Sequence, residues 1–262
     1  MYMTNYPLVS CLMVTGNRKK IAARAIQCFY NQTWPNKELI IIDDGNEDLS
    51  ELINHNNLSP VFYYRLTKKE ENTLGYLRNY SLEKANGVFI TQWDDDDWYH
   101  PDRIKVQAEV LLVGYDACCF KGTLMHLDNP TYFSLPYIGY LKDGVPGSIM
   151  HKKDTTVKYP EIRRAEDTLY LDQWREKKYK LIGREHSDKF IRCFHGSNTW
   201  ESDHFIRRIH NNVIDFILWY VLVALQKKEL HRRFKLENHE MKSFNTYLKD
   251  SNKLNLFITK NE

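Results

Sequence analysis

Short apolar runs alternate with longer stretches of helical periodicity through the first hundred residues. Residues 8–15 (LVSCLMVT) are a compact run of strand-forming side chains. Beyond Gly16-Asn17, the residues Ile21, Ala22, Ala25, Ile26 and Phe29 recur at the spacing of one helix face, and that stretch stops near Trp34-Pro35. Residues 37–43 (KELIIID) predict a second strand, almost wholly apolar, of the kind covered on both faces in a parallel sheet. A polar turn and a short helix over residues 50–56 precede a third strand at 61–66 (VFYYRL). Leu74, Leu77, Ser81, Leu82 and Ala85 then mark the inner side of a helix stopped by Gly87, and residues 88–93 (VFITQW) form the fourth strand. Repeated strand–helix–strand units of this kind predict an α/β fold: an open, mostly parallel sheet with helices on both faces.

The rhythm loosens after Pro101, where a helix begins. Residues 116–127 read as strand, 129–146 as turn-rich, 149–151 as strand and 189–193 as strand. Residues 166–177 read as helix, with Tyr170, Leu171 and Trp174 on one stripe. From 204 to 233 the chain is apolar in the middle and basic at both ends, which predicts one long helix. With no linker visible, the expectation is one domain over residues 1–203, divided near 113, and a helical extension over 204–262.

Composition narrows this picture only a little. A chain of 262 residues with 42% hydrophobic and 27% charged side chains can bury a full core. A formal charge of +3 is too small to imply a nucleic-acid partner. Five cysteines, an odd number with no CxxC spacing, argue against zinc and against a disulfide framework, and suit a reducing compartment such as the cytoplasm. The start, MYMTNYPLVS, has no basic region followed by a long apolar stretch, so no signal peptide is expected. The apolar run 213–225 is about two-thirds of the ~20 residues a membrane-spanning helix needs. Asp215 also interrupts it, so it is not expected to cross a bilayer.

Four consecutive aspartates, Asp94, Asp95, Asp96 and Asp97, directly follow the fourth strand between Trp93 and Trp98. In an open α/β sheet, ligands bind at the carboxyl ends of the strands, where these side chains belong. Two carboxylates ~4 Å apart repel by ~1 kcal/mol in water and ~4 kcal/mol at a protein surface. A divalent cation removes that cost, and hard oxygen ligands suit magnesium or manganese. The plainer alternative is a solvated acidic loop that caps the next helix. A second acidic pair, Asp43-Asp44, ends another strand and runs into Gly45; alone it is also a good turn. Two neighbouring strand ends would gather both sets of acids around one crevice.

The order LVSCLMVTGNR, NQTWPNKELIIIDDGNED, LGYLRNYSLEKANGVFITQWDDDDWYHPDRI resembles the nucleotide-binding half of the family-2 glycosyltransferases of the GT-A fold. The likeness runs from about residue 8 to 113, and RRAEDTLYLDQW further on is similar to that family's Glu-Asp motif. It implies an inverting transferase that moves a sugar from a nucleotide-diphosphate donor, a UDP-sugar, to an acceptor hydroxyl. Residues 1–113 would then form the nucleotide-binding half and 114–203 the acceptor half. On this resemblance Asp43 and Asp44 contact the nucleoside, and Arg78 and Asn79 lie beside the nucleobase. Asp94 and Asp96, with Asp95, form the DxD motif that holds ribose and a Mn2+ or Mg2+ ion, and Asp167 is the catalytic base. The family's first strand often ends Pro-Thr-Tyr-Asn; here it reads Val14-Thr15-Gly16-Asn17, keeping Thr15 and Asn17 as donor contacts without the proline and the aromatic ring. In the segment from Cys193 to Trp200, His195 is either a further metal or diphosphate ligand or a structural histidine.

Rival readings make different demands on the residues. A sugar-phosphate nucleotidyltransferase would need a glycine- and basic-rich loop after the first strand, and VTGNRKK has one glycine. A phosphatase with an aspartyl nucleophile would need its acids after the first strand. A non-catalytic sugar-nucleotide-binding protein would keep the same pocket. The expected setting is surface polysaccharide or glycolipid synthesis, with a glycan or glycolipid acceptor. The helix from 204 onward either packs on the domain or docks on a second subunit or on the inner membrane face.

Overall fold

The computed structural model describes residues 6–54, 58–196, 198 and 201–258. Ser197, Thr199 and Trp200 of the segment after Cys193, and His55 and Asn56 of the expected short helix, lie outside the described residues. Four parallel strands make the centre of the main sheet: β1 (Val9–Thr15), β2 (Lys37–Asp43), β3 (Val61–Arg65) and β4 (Phe89–Gln92). β1 lies between β2 and β4, and β3 pairs with β2. The helices α1 (Lys19–Tyr30) and α2 (Leu74–Lys84) connect them, and a short 3-10 helix, Ser50–Leu52, stands where 50–56 predicted a helix. Thr73 caps α2 by accepting from the Tyr76 backbone N–H at 3.2 Å.

Alternation along the strands divides the core into two layers. Val9, Cys11 and Met13 of β1 meet Ala22, Ala25 and Phe29 of α1 on one face. Leu12, Ile40 and Ile42 meet Leu77 and Ala85 on the other. Burying each large side chain contributes about 1.5–3 kcal/mol, so both faces hold the strand ends in fixed register.

On the far side of β4 the sheet changes hand. β9 (Met150–Lys152) runs antiparallel between β4 and β6 (Ala117–Phe120), and β10 (Tyr179–Ile182) closes the edge parallel to β6. The helices α3 (Arg103–Leu112) and α4 (Glu166–Arg175) belong to this half. The mostly parallel α/β fold expected from the sequence is the observed one. The structure adds a second sheet: β5 (Trp98–Tyr99), β11 (Phe190–Phe194), β7 (Gly122–Leu127) and β8 (Tyr137–Tyr140), hydrogen-bonded in that order.

Two local expectations are corrected. Residues 116–127 are two strands, because the backbone at Lys121 leaves the first sheet, bonded to Ile182, and enters the second, bonded to Leu141. The turn-rich stretch 129–146 also carries one strand, β8. The single helix expected over 204–233 is broken into α5 (Ser202–Ile206), α6 (Val213–Ala224) and short 3-10 turns. Asn212 starts α6 afresh by accepting from the Asp215 N–H, and Gln226, at φ +55°, ends it. The last helix, α7 (Asn238–Lys253), packs Phe244 and Tyr247 into the main core. Among the described residues no helix is long and apolar enough to cross a membrane. All five cysteines are buried and free.

Candidate active site

The carboxyl ends of β1, β2 and β4 open onto one cavity of about 350 Å3. Thr15 ends β1, Asp44 follows β2, and the four aspartates follow β4; all of them line it. Along the acidic run burial alternates: Asp95 and Asp97 are buried, whereas Asp94 and Asp96 stay half-exposed towards the cavity. The two inward acids are tied to the frame. The Asp95 carboxylate accepts from Thr15 Oγ1 at 2.6 Å and from Arg18 Nη1 at 3.3 Å, and Asp97 accepts from the Cys193 N–H at 3.1 Å. Burial and the neighbouring charge of Asp96 push Asp95 up to about 6, and the same two causes raise Asp97 well above the usual carboxylate range. Burial also opposes ionised Asp96. The hydrogen bond from His195 and the charges of Arg18, His195 and Arg192 outweigh that cost, and its carboxyl falls below the usual range.

Across the cavity, Ala165 turns the chain through the left-handed region at φ +63°, and α4 begins with Glu166 and Asp167. Their fates differ. Glu166 is buried against Arg78, Nε to Oε1 at 3.0 Å, and burial pushes its carboxyl up although Arg78 pulls it back. Asp167 stays partly exposed on the cavity wall and, among the described residues, accepts only from its own turn, at the Thr168 N–H, 2.7 Å away, and hydroxyl. Arg78 also reaches Asp94 at 2.9 Å, so one buried guanidinium spans the two sides.

Of the residues expected at the site, Thr15, Asp44, Arg78, Asp94, Asp95, Asp96 and Asp167 come together around the cavity. Three others stand behind it. Asn79 does not reach the cavity: its amide is spent on Tyr159, donating to the carbonyl at 2.9 Å and accepting from the N–H at 2.8 Å. Asp43 is buried and accepts from the Gly45 N–H and the Tyr63 hydroxyl, which shapes the turn that presents Asp44. Asn17, at φ +59°, accepts from the Asn46 N–H and so joins the loops after β1 and β2. His195 lies beside Asp96 at 3.5 Å but lines a small recess next to the cavity. Four arginines that the motifs did not single out, Arg18, Arg163, Arg164 and Arg192, also line the cavity. Arg18, Arg163 and Arg164 stand inside the motif stretches, whereas for Arg192 only charge could have pointed to it, since a diphosphate needs cationic neighbours.

The donor set fits a divalent ion. Magnesium is held by one or two carboxylates and keeps its other positions for water and phosphate, and Asp94 and Asp96 are hard oxygen ligands on the accessible wall. Among the described residues no three His, Cys, Asp or Glu side chains converge into a closed metal cage.

The model of glycosyl transferase family 2 matches residues 10–198. The chain belongs to that family. As a family-2 glycosyltransferase it is 26% identical over 242 residues to an uncharacterized glycosyltransferase of Haemophilus influenzae, covering 84% of this chain and 96% of that protein. It is 35% identical over 107 residues to the putative colanic acid biosynthesis glycosyl transferase WcaA of Escherichia coli, covering 40% of this chain and 38% of that one. The chain thus spans less than half of WcaA. Among solved structures, Staphylococcus aureus TarS (residues 1–349) in complex with UDP-GlcNAc superposes with a TM-score of 0.56 at 16% identity, over 92% of this chain and 81% of that one. The mannosyltransferase PcManGT of Pyrobaculum calidifontis, in complex with GDP-Man and Mn2+, gives 0.54 at 14% identity, over 95% and 76%. These two likenesses establish the GT-A-type fold.

Proposed function

We propose that this family-2 glycosyltransferase is an inverting enzyme that moves a sugar from a UDP-sugar to an acceptor hydroxyl. Its setting would be surface polysaccharide or glycolipid synthesis. The observation that carries the reading is the pairing of Asp94 and Asp96 on one wall with Asp167 across the same cavity. TarS with its UDP-GlcNAc and WcaA with its colanic acid role support the donor and the setting. Bound at Asp94 and Asp96, Mn2+ or Mg2+ would neutralise the diphosphate as it leaves. Arg18, Arg163, Arg164 and Arg192 supply further positive charge around the same space. Asp44 and Thr15 would hold the nucleoside end, with Asn17 and Asp43 fixing their loops and Asn79 fixing Tyr159. Residues 1–113 would then bind most of the donor, and 114–203 the acceptor, with Arg163, Arg164 and Arg192 of that half reaching the diphosphate.

In the transfer, the acceptor oxygen attacks the anomeric carbon as the bond to the diphosphate oxygen breaks, and Asp167 takes the hydroxyl proton. Glu166 is committed to Arg78 and does not serve. General-base catalysis is worth about 10²–10⁴ in rate. Turnover of Asp167→Asn should therefore fall by about that factor with donor affinity near wild type, and Glu166→Gln should lose far less. Transfer by Asp167→Asn at the wild-type rate would remove the base assignment. Absence of transfer to any acceptor by the wild type, with donor still bound, would favour a binding protein that only retains the pocket.

A further inference from the structure

Helix α6 shows one apolar stripe to the protein and a second, wider one to solvent. Asp215, Leu218, Trp219 and Leu222, spaced three and four apart, face inward. Trp219 packs against His210, His231 and Phe234, and buried Asp215 is ion-paired with Arg232 and Arg233. That anchoring fixes which side is left out. The outer half-cylinder carries Val213, Ile214, Phe216, Ile217, Tyr220 and Val221, without one charged side chain among them. Ile217 is 58% exposed and Tyr220 70% exposed. An apolar patch this continuous is not a feature of an ordinary water-facing surface.

Charge around the helix selects the occupant. Over residues 204–235 there are seven Lys or Arg against two acids; Asp215 and Arg233 are both buried and paired with each other, which leaves six basic side chains against Glu229. Arg207 and Arg208 precede the helix and Lys227 and Lys228 follow it, so both ends are basic. A second copy of the chain docked face to face would bring these basic ends against each other or side by side. An anionic bilayer meets both demands at once: headgroup charge for the ends, acyl chains for the outer face.

We infer that α6 lies flat in the interface of an anionic membrane, outer face down, and holds the protein at the bilayer surface. With 12 residues the helix is about 18 Å long, enough to lie in the interface and too short to span it. Phe205, which lines the cavity, is eight residues upstream of Val213, so one cavity wall is held within about 28 Å of chain from the docked helix. The inference rests on this surface and holds independently of the reaction assigned to the cavity.

Flotation of the full chain with phosphatidylcholine vesicles, with and without phosphatidylglycerol, tests it. The protein should float with the anionic vesicles and be released by high salt. Ile217→Gln and Tyr220→Gln should each weaken partitioning by roughly tenfold, with an unchanged melting temperature because neither side chain is packed inside. Lys227→Glu combined with Lys228→Glu should weaken it on anionic vesicles only. Failure of the wild type to float, or flotation unaffected by Ile217→Gln and Tyr220→Gln, overturns the inference. So does a dimer in sedimentation that these substitutions dissociate while no vesicle is bound, which would assign the face to a second copy.

Discussion

Arg78 is a largely buried cation that serves two carboxylates at the cavity wall. Its guanidinium bonds Asp94 after β4 and Glu166 at the start of α4, with side-chain exposures of 9%, 24% and 3% for Arg78, Asp94 and Glu166. Removing one partner of a buried ion pair costs about 3–5 kcal/mol, because the other charge stays behind uncompensated. Arg78→Ala should therefore lower the free energy of unfolding in urea by about that much, and adding Glu166→Gln should restore part of it. Weakened donor binding at unchanged stability would instead make Arg78 a simple ligand contact. Asp96 poses the opposite case, an ionised carboxylate on the accessible wall. Nucleoside diphosphate should bind the wild type far more tightly with Mn2+ than with a chelator, and Asp96→Asn should lose most of that difference in calorimetry. Equal affinity under both conditions in the wild type would take the metal out of the site.

Among the elements, α2 and the segment before α4 meet with no slack. A Cβ on Gly75 would lie 1.9 Å from the Pro160 carbonyl oxygen, and that atom is backbone and cannot swing away. The Gly75 N–H also donates to the Ile162 carbonyl at 3.1 Å. Gly75→Ala should therefore push α2 off residues 160–162 and carry Arg78 with it. Overpacking of this kind costs about 1–3 kcal/mol, and for a chain of this size each kcal/mol moves the melting temperature by about 2–4 °C. A thermal melt within a degree of wild type would show that the contact yields. The elements also show what the sequence could and could not announce. β1, β2, β4, α1 and α2 each carry their own periodicity, and the acidic run and the Glu-Asp pair are adjacent in sequence, so all were legible. The second sheet was not: β5 is two residues long, and β11 finds β7 across more than sixty residues, a pairing that leaves no local trace. Arg192 was silent as well, since a single arginine outside any motif has no spacing to read. The break before α6 hinged on one capping side chain, Asn212, inside a segment whose apolar content alone suggested continuity.

At the scale of the whole molecule, the cavity is where both sheets and the helices between them end. Cys193, on β11 of the second sheet, bonds Asp97, while Thr15 on β1 of the first bonds Asp95, so the acidic run is clamped from both. α7 closes the far side: Arg24 donates to Ser251 and to the Asp96 carbonyl, and Trp98 donates to Asp250. Helix and loop positions remote in sequence thereby set where four like charges sit. A half of this protein prepared by itself would lack that clamp.

The three residues of β9 bear on how such chains can be rearranged. They come from beyond residue 113, yet they form the rung between β4 and β6, pairing Phe89 with Lys152 and Cys118 with Met150. A fragment ending at 113 would leave β4 with an open row of N–H and C=O groups, a template for edge-to-edge aggregation. Recombination between relatives at that point would join β1–β4 to a foreign central strand. Chimeras should keep the native residues 149–152, with the Gln92–Ile149 backbone bond that leads into them, and exchange only residues beyond 152. The seam along which this molecule can be shuffled therefore lies inside its second half.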